Sequence, residues 1–265
     1  MTRCKNCAFE YEGKFCPQCG QKAKTKRITN RSVLEEVRRS LIHYDRGFAY
    51  TVIQLFRRPG HTVREFIEGK RVMHVKPVKF MLWATALNFL VFHLVGLDKD
   101  LIQALVANQN AMGHPSQPAI QTQFSQYIFN HPSILMFLMI PNIAFFSWLF
   151  FRRRGYNYAE HFVLNAYLMG EVSMFGIALN PVSKYLGGIN GAFFYLKIGL
   201  QSLIWIGYMC WGYTQFFQPQ KKWQGWAKSI LSILFGYLLL LLVISILVAL
   251  FIIVFWPWIE PNFQK

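Results

Sequence analysis

The chain has 265 residues, 54% of them hydrophobic and only 15% charged, against roughly 25% charged in soluble domains. With a mean hydropathy of +0.25, this composition argues against an ordinary soluble domain and for a membrane class. The net charge of +16 would suggest a nucleic-acid binder, but 18 of the 28 Lys and Arg lie within residues 1–79, and basic charge beside long apolar runs is a topology signal first.

Four of the five cysteines fall in residues 1–28, read as a zinc-ribbon knuckle. Cys4-Lys5-Asn6-Cys7 and Cys16-Pro17-Gln18-Cys19 form two C-x-x-C pairs. Two residues between thiolates let both sulfurs face one ion while backbone amides bond to them, and two such turns close a tetrahedral site. The expectation is one structural zinc per chain, held by Cys4, Cys7, Cys16 and Cys19. An all-sulfur set leaves no open position for catalysis. Disulfides are disfavoured because this end is assigned to the reducing cytosol. The stretch from Ala8 to Phe15 is long enough for a short hairpin turning at Gly13, with Phe9, Tyr11 and Phe15 covering the metal. So small a module needs its metal to fold. Cys210, inside an apolar run, reads as a packing residue.

Residues 29–76 are basic and amphipathic. Ser32-Val33-Leu34-Glu35 reads as a capping box, opening a helix that stops near Asp45-Arg46-Gly47. A second short helix carries Phe48, Val52, Leu55 and Phe56 and stops at Arg57-Arg58-Pro59-Gly60. A third carries Val63, Phe66 and Ile67. None is long enough to span. Their apolar faces, with Arg38, Arg39, Arg57, Arg58, Lys70 and Arg71 alongside, suit an anionic lipid surface. They suit equally a hairpin packed on the bundle.

Residues 77–256 read as a transmembrane bundle with spans at about 78–97, 133–151, 161–180, 193–216 and 229–256, each near the roughly 20 apolar residues that a crossing needs. Ser229 to Trp256 has no charged residue in 28 positions. Basic charge alternates from loop to loop: rich before the first span, Lys99 alone in the next loop, then Arg152, Arg153 and Arg154, then Lys184 alone, then Lys221, Lys222 and Lys228, and Lys265 in the tail. That pattern requires five spans, a cytosolic N-terminus and a short external tail at 257–265. Trp83, Trp148, Trp223, Trp226, Trp256 and Trp258 stand near span ends, as interfacial anchors do. No cleavable signal peptide is visible.

The Phe15–Lys22 string, with Tyr44-Asp45-Arg46-Gly47-Phe48, Arg57-Arg58-Pro59-Gly60 and Gly69-Lys70-Arg71, resembles a bacterial membrane-protein family catalogued as domain of unknown function 3667. The resemblance covers roughly residues 1–90. It implies a zinc-ribbon-headed protein of the bacterial inner membrane and supplies no catalytic residues.

Ionisable side chains inside spans are costly and invite a functional reading. Glu171 is the foremost, with Asn88, His93, Asn142 and Gln201 as polar neighbours in the set and Asn165 and Lys197 beside them. They could line a proton or solute path, or simply bond helices together. No phosphate loop, zincin motif or nucleophile elbow is present. The fold class is therefore all-α and polytopic. The function expected is an interaction or sensing protein that presents its knuckle to a cytosolic protein partner, with the bilayer and its anionic head groups as further partners. A small-solute or ion transporter is the alternative. Nucleic-acid binding is not favoured, since topology already accounts for the basic charge.

Overall fold

The computed structural model describes residues 1–25, 27–39, 47–97, 132–185 and 192–259, with single positions at 99 and 103. A two-stranded ribbon, β1 (Thr2–Arg3) paired antiparallel with β2 (Glu10–Tyr11), is followed by helices. Three are short: α1 (Asn30–Arg39), α2 (Phe48–Arg57) and α3 (Pro59–Glu68). Then come α4 (Pro77–Leu94), α5 (Pro132–Phe151), α6 (Tyr158–Tyr185), α7 (Ala192–Phe217) and α8 (Lys222–Ile259), with a 3-10 turn at Arg152–Arg154 between α5 and α6. A helix stands over each of the five expected spans. Among the described residues three are long and apolar enough to cross a membrane: Pro77–Leu94, Tyr158–Val182 within α6 and Lys222–Ile246 within α8.

Local chemistry sets the breaks. Arg58 ends α2 and begins α3, because Pro59 has no amide for the α2 ladder and disfavours a helical Arg58. Pro59 and Pro77 each sit in the first turn of their helix, where a missing donor costs nothing. Thr62 Oγ1 donates to the carbonyls of Gln54 and Arg58 and ties the two arms of the α2–α3 hairpin together. The capping of α1 differs from expectation. Thr29 and Ser32 exchange bonds, the Thr29 amide to Ser32 Oγ at 2.9 Å and the Ser32 amide to Thr29 Oγ1 at 3.3 Å, so the box lies three residues earlier than Ser32–Glu35. Glu35 pairs with Arg31 one turn back. The expected end of that helix, near 45–47, falls mostly outside the described residues, as do most of the 98–132 loop, residues 186–191 and the last six.

Helix α6 is the axis of packing. It runs parallel to α4, with Phe80 against Tyr167, Thr85 near Ser173 and Asn88 bonded to Asn180 in succession. It runs antiparallel to α5, where Ser147 meets His161. It also runs antiparallel to α7, where Phe217, Tyr213 and Tyr208 meet His161, Asn165 and Phe175 in turn. Helix α8 runs antiparallel to α5, with Phe235 against Phe146 and Phe150 and Lys228 over the Phe151 ring.

The α2–α3 hairpin is packed on this bundle, the second of the two placements the sequence left open. Leu55 and Val63 are fully buried. Tyr208 of α7 donates to the Leu55 carbonyl and Tyr167 of α6 to the Val75 carbonyl. Arg64 donates to the carbonyls of Gln215 and Phe216 at the end of α7. Gly60 lies so near α7 that a Cβ there would collide with the Gly212 carbonyl and the Phe216 amide, so only glycine lets these backbones approach.

Candidate metal centre and the seam that holds it

The knuckle is built from two equivalent turns. In the first, the Cys4 amide donates to the Phe9 carbonyl and the Ala8 amide to the Cys4 carbonyl; in the second, Cys16 bonds to Gln21 and Gly20 to Cys16 in the same way. The residue after each pair turns left-handed, Ala8 at φ 63° and Gly20 at φ 73°. Glycine accepts that conformation freely, whereas alanine is strained there. The strands pair across the cysteine turns, Thr2 with Tyr11 around the first and Phe15 with Lys22 around the second. The expected hairpin within Ala8–Phe15 is therefore replaced by two pairings that each clamp one turn. Of the three aromatics, Tyr11 is buried at 6% exposure, while Phe9 and Phe15 stay 45% and 55% exposed.

All four sulfurs lie within 4.8 Å of one another. Cys4 and Cys19 stand 3.5 Å apart and Cys7 and Cys16 3.6 Å, near the roughly 3.8 Å between sulfurs of a tetrahedral ion with about 2.3 Å bonds and far beyond a disulfide bond. The donor set fits a four-coordinate, thiophilic metal ion. The thiols already differ. Burial raises Cys4, but the backbone of Cys7 and Asn6 and the thiols of Cys19 and Cys7 outweigh it and hold Cys4 at about 6. The Phe9 backbone lowers Cys7, yet burial and the other three thiols carry it up to about 12. Thiols this close cannot all ionise by themselves, and a cation among them removes that conflict.

A clasp seats the knuckle and its connecting segment on the bundle. Arg27 makes a bidentate pair with Glu160, both bonds at 2.8 Å, and donates also to the Gly155 carbonyl. Asn157 donates to the Ile28 carbonyl. Glu160 also caps its own helix. Its carboxylate accepts the Asn157 amide, and Asn157 Oδ1 accepts the Glu160 amide. On the other side Gly69, at φ +122°, lies under Thr25 and Lys5, where a Cβ would come within 2.8–3.0 Å of their side chains. Sequence reasoning missed Glu160 and Asn157. The Asn-x-x-Glu spacing ahead of an apolar run was the signal that could have found them.

The polar residues expected within the spans do not converge among the described contacts. Asn88 bonds Asn180, Asn142 donates to the Leu138 carbonyl of its own helix, His93 stacks on Phe89, and Gln201 is exposed. Glu171 is 1% exposed and lies beside Tyr208, and its Oε2 has no hydrogen-bond partner among the described residues. Asn165 belongs to a separate buried network: Tyr213 donates to it, it donates to Ser147 and to the His161 carbonyl, and Ser147 meets His161 Nδ1 at 2.8 Å. The Lys197 side chain lies outside the described residues. Of the basic residues, Arg58 and Lys70 share Glu65, Arg71 donates to the carbonyls that end α3, and Arg57 is exposed. The side chains of Arg38 and Arg39 are outside the described set.

One family model matches part of this region. It covers residues 45–89 and is described as a protein of unknown function (DUF3667). The matched stretch takes in α2, α3 and the first turns of α4 and does not reach the cysteines. It supports the resemblance read from the sequence over the second half of residues 1–90. Nothing matches among curated proteins or among solved structures.

Proposed function

We propose that this chain is a five-span protein of the bacterial inner membrane, with its N-terminus in the cytosol and its C-terminus outside. In this reading it presents a zinc-loaded knuckle at the cytosolic face as an interaction or sensing module. The observation that carries the proposal is the clasp. Arg27–Glu160 and Asn157–Ile28 fasten the segment behind the knuckle to the first turn of α6, so the module is held against the bundle and can pass its state to it. The alternating direction of α4 to α8 agrees with the alternating loop charge and supports the span count and orientation. The expected metal content is about one zinc per chain, because all-thiolate sites of this geometry prefer it. Cys16→Ser should release the metal while the bundle stays inserted. A pull-down with the detergent-solubilised protein, with and without residues 1–28, should lose a bound protein on truncation. Purified protein with intact thiols and less than roughly one zinc per three chains, at an affinity expected to retain it, would rule out the zinc assignment.

Glu171 favours a second reading, transport of a proton or small solute, because its buried Oε2 has no partner among the described residues. Complementation of a deletion strain separates the two. A structural Glu171 tolerates Gln with stability changed by less than about 1 kcal/mol and full function. A folded Glu171→Gln protein that fails to complement moves the assignment to transport.

A further inference from the structure

The α2–α3 hairpin turns only part of its surface to the bundle. On α2, Thr51 and Leu55 are buried, while Ala49, Ile53 and Phe56 are exposed at helical spacing and form an apolar stripe that ends at Arg57. Ile53 is 48% exposed and Phe56 59%. On α3 the outward residues at the same spacing are His61, Arg64, Glu65 and Glu68, with His61 and Glu68 exposed. Two neighbouring helices of ten residues each thus meet their surroundings with opposite chemistry. The apolar stripe also continues beyond α2. The Phe56 ring lies edge-on to Phe175 of α6 at 5.9 Å, and Phe175 edge-on to Tyr208 of α7 at 5.0 Å. Tyr208 in turn meets Trp211 of the same helix at 6.1 Å. From the part-exposed Trp211 an outward line runs along α7 through Gly207 and Ile204 to Leu203 and Leu200, again at helical spacing. On a spanning helix such a line faces lipid, and a tryptophan at its end marks the interface. Phe56 carries that line onto the hairpin.

We propose that the hairpin is seated in the cytosolic lipid–water boundary, with Ile53 and Phe56 of α2 among phospholipid acyl chains and the His61–Glu68 face of α3 toward water. A short helix with one apolar and one polar surround is suited to that boundary. Lipid is the occupant because the α2 stripe is continuous with the outward line of α7, which a bilayer covers over several turns. Charge at the hairpin tip is kept off the stripe. Arg58 turns back to Gln54 and Glu65, and the exposed Arg57 has a stem long enough to carry its guanidinium to the head groups. Helix α3 then joins this lipid contact to the knuckle. One end, at Gly60, lies against Gly212 of α7, and the other leads to Gly69, under Thr25 and Lys5. Lipid at Phe56 and metal at the cysteines therefore act on the two ends of one hairpin.

This placement rests on the membrane crossing of the bundle in the proposed function, and the test separates the two. The full-length protein is made with the photoreactive residue p-benzoylphenylalanine at one position, Ile53, Phe56, Glu68 or Leu203. Each form is reconstituted in vesicles of phosphatidylcholine and phosphatidylglycerol and irradiated, and the intact-protein mass is read for the gain of one phospholipid. The label at Leu203 should take up lipid, those at Ile53 and Phe56 should do so to a similar extent, and that at Glu68 should not. Lipid adducts at Leu203 with none at Ile53 and Phe56 would leave the bundle in the membrane and overturn the seating of the hairpin. No adduct at any position, Leu203 included, would remove the membrane crossing and the seating together. An adduct at Glu68 as abundant as that at Phe56 would abolish the difference between the two faces and sink the proposal. So would a crosslink from Phe56 to a second copy of the chain in place of lipid, which would make the stripe a contact between copies. The Ile53 form decides the matter should the Phe56 form fail to fold.

Discussion

Helices α6 and α8 are both long and apolar, yet they are used in opposite ways. The membrane-length window of α6 is 61% buried within the protein, that of α8 only 28%. Among the described residues α6 buries Glu160, His161, Asn165, Glu171, Ser173 and Asn180, whereas α8 buries only Ser229 and Ser232 of its polar side chains. The serines of α8 donate to carbonyls one turn back on their own helix. The polar groups of α6 reach to α4, α5, α7 and the segment behind the knuckle. In the membrane reading, α8 turns most of its surface to lipid, and α6 is the helix through which the other parts of the molecule meet. Both helices are apolar enough to cross a membrane, α8 the more so, and the partnered polar residues of α6 set the two apart.

The largest effect should come from Glu160→Ala. It removes the capping bond from the Asn157 amide and the bidentate pair with Arg27 together, for a loss of about 3 kcal/mol. Thermal unfolding in detergent should show it, and proteolysis near residues 25–29 should quicken. An exposed α8 change such as Leu241→Ala should stay within about 0.5 kcal/mol. Equal losses at the two sites would break the comparison. Next, Tyr213→Phe strands the Asn165 carbonyl oxygen and should cost about 1–2 kcal/mol. Ser232→Ala on α8 removes only a bond within its own helix and should fall near the noise of the same measurement.

His74, on the loop that packs against α6, sharpens the contrast through pH. Burial is the main cause that holds its imidazole down at about 4, with Glu65 opposing and Arg58 and Lys70 assisting. The unfolded chain takes up the proton near 6.5, so the contribution is complete above that pH and is lost as pH falls from about 6.5 toward 4. The loss should be about 2 kcal/mol. His74→Phe should flatten that limb of the stability profile. The smallest effect is at the knuckle: Ala8→Gly relieves a left-handed alanine and should stabilise the metal-loaded form by about 0.5–1 kcal/mol, less the added freedom of the unfolded chain. Competition with a chelator would register it as slower metal loss.

Some of this was legible in the residues and some was not, for physical reasons. The clustering of the four cysteines was legible because two C-x-x-C turns at this spacing can bring their sulfurs together. The helices were legible because apolar runs and Pro59 or Pro77 set their limits locally. The α2–α3 hairpin could be read as helix but not as buried, since Leu55 and Val63 would look the same against lipid and against protein. The capping of α1 was misplaced because Thr29-x-x-Ser32 and Ser32-x-x-Glu35 both satisfy the local pattern, and only the Thr29–Ser32 bonds tell them apart. The clasp was out of reach, as Arg27 and Glu160 are 133 residues apart and nothing in either segment names the other. The Tyr213–Asn165 bond is hidden in the same way. Glu171 could be singled out by its cost, but its surroundings depend on which helices α6 faces.

The Arg27 clasp has a mechanical consequence. Cys19 precedes Arg27 by eight residues, a tether that spans at most about 28 Å when fully drawn out. A load on the knuckle therefore takes up slack over a short distance and then acts on Glu160, the residue that closes the first turn of α6. The cap and the clasp share one carboxylate, so pulling on one loosens the other, and the knuckle works as a handle fixed to the end of the central helix.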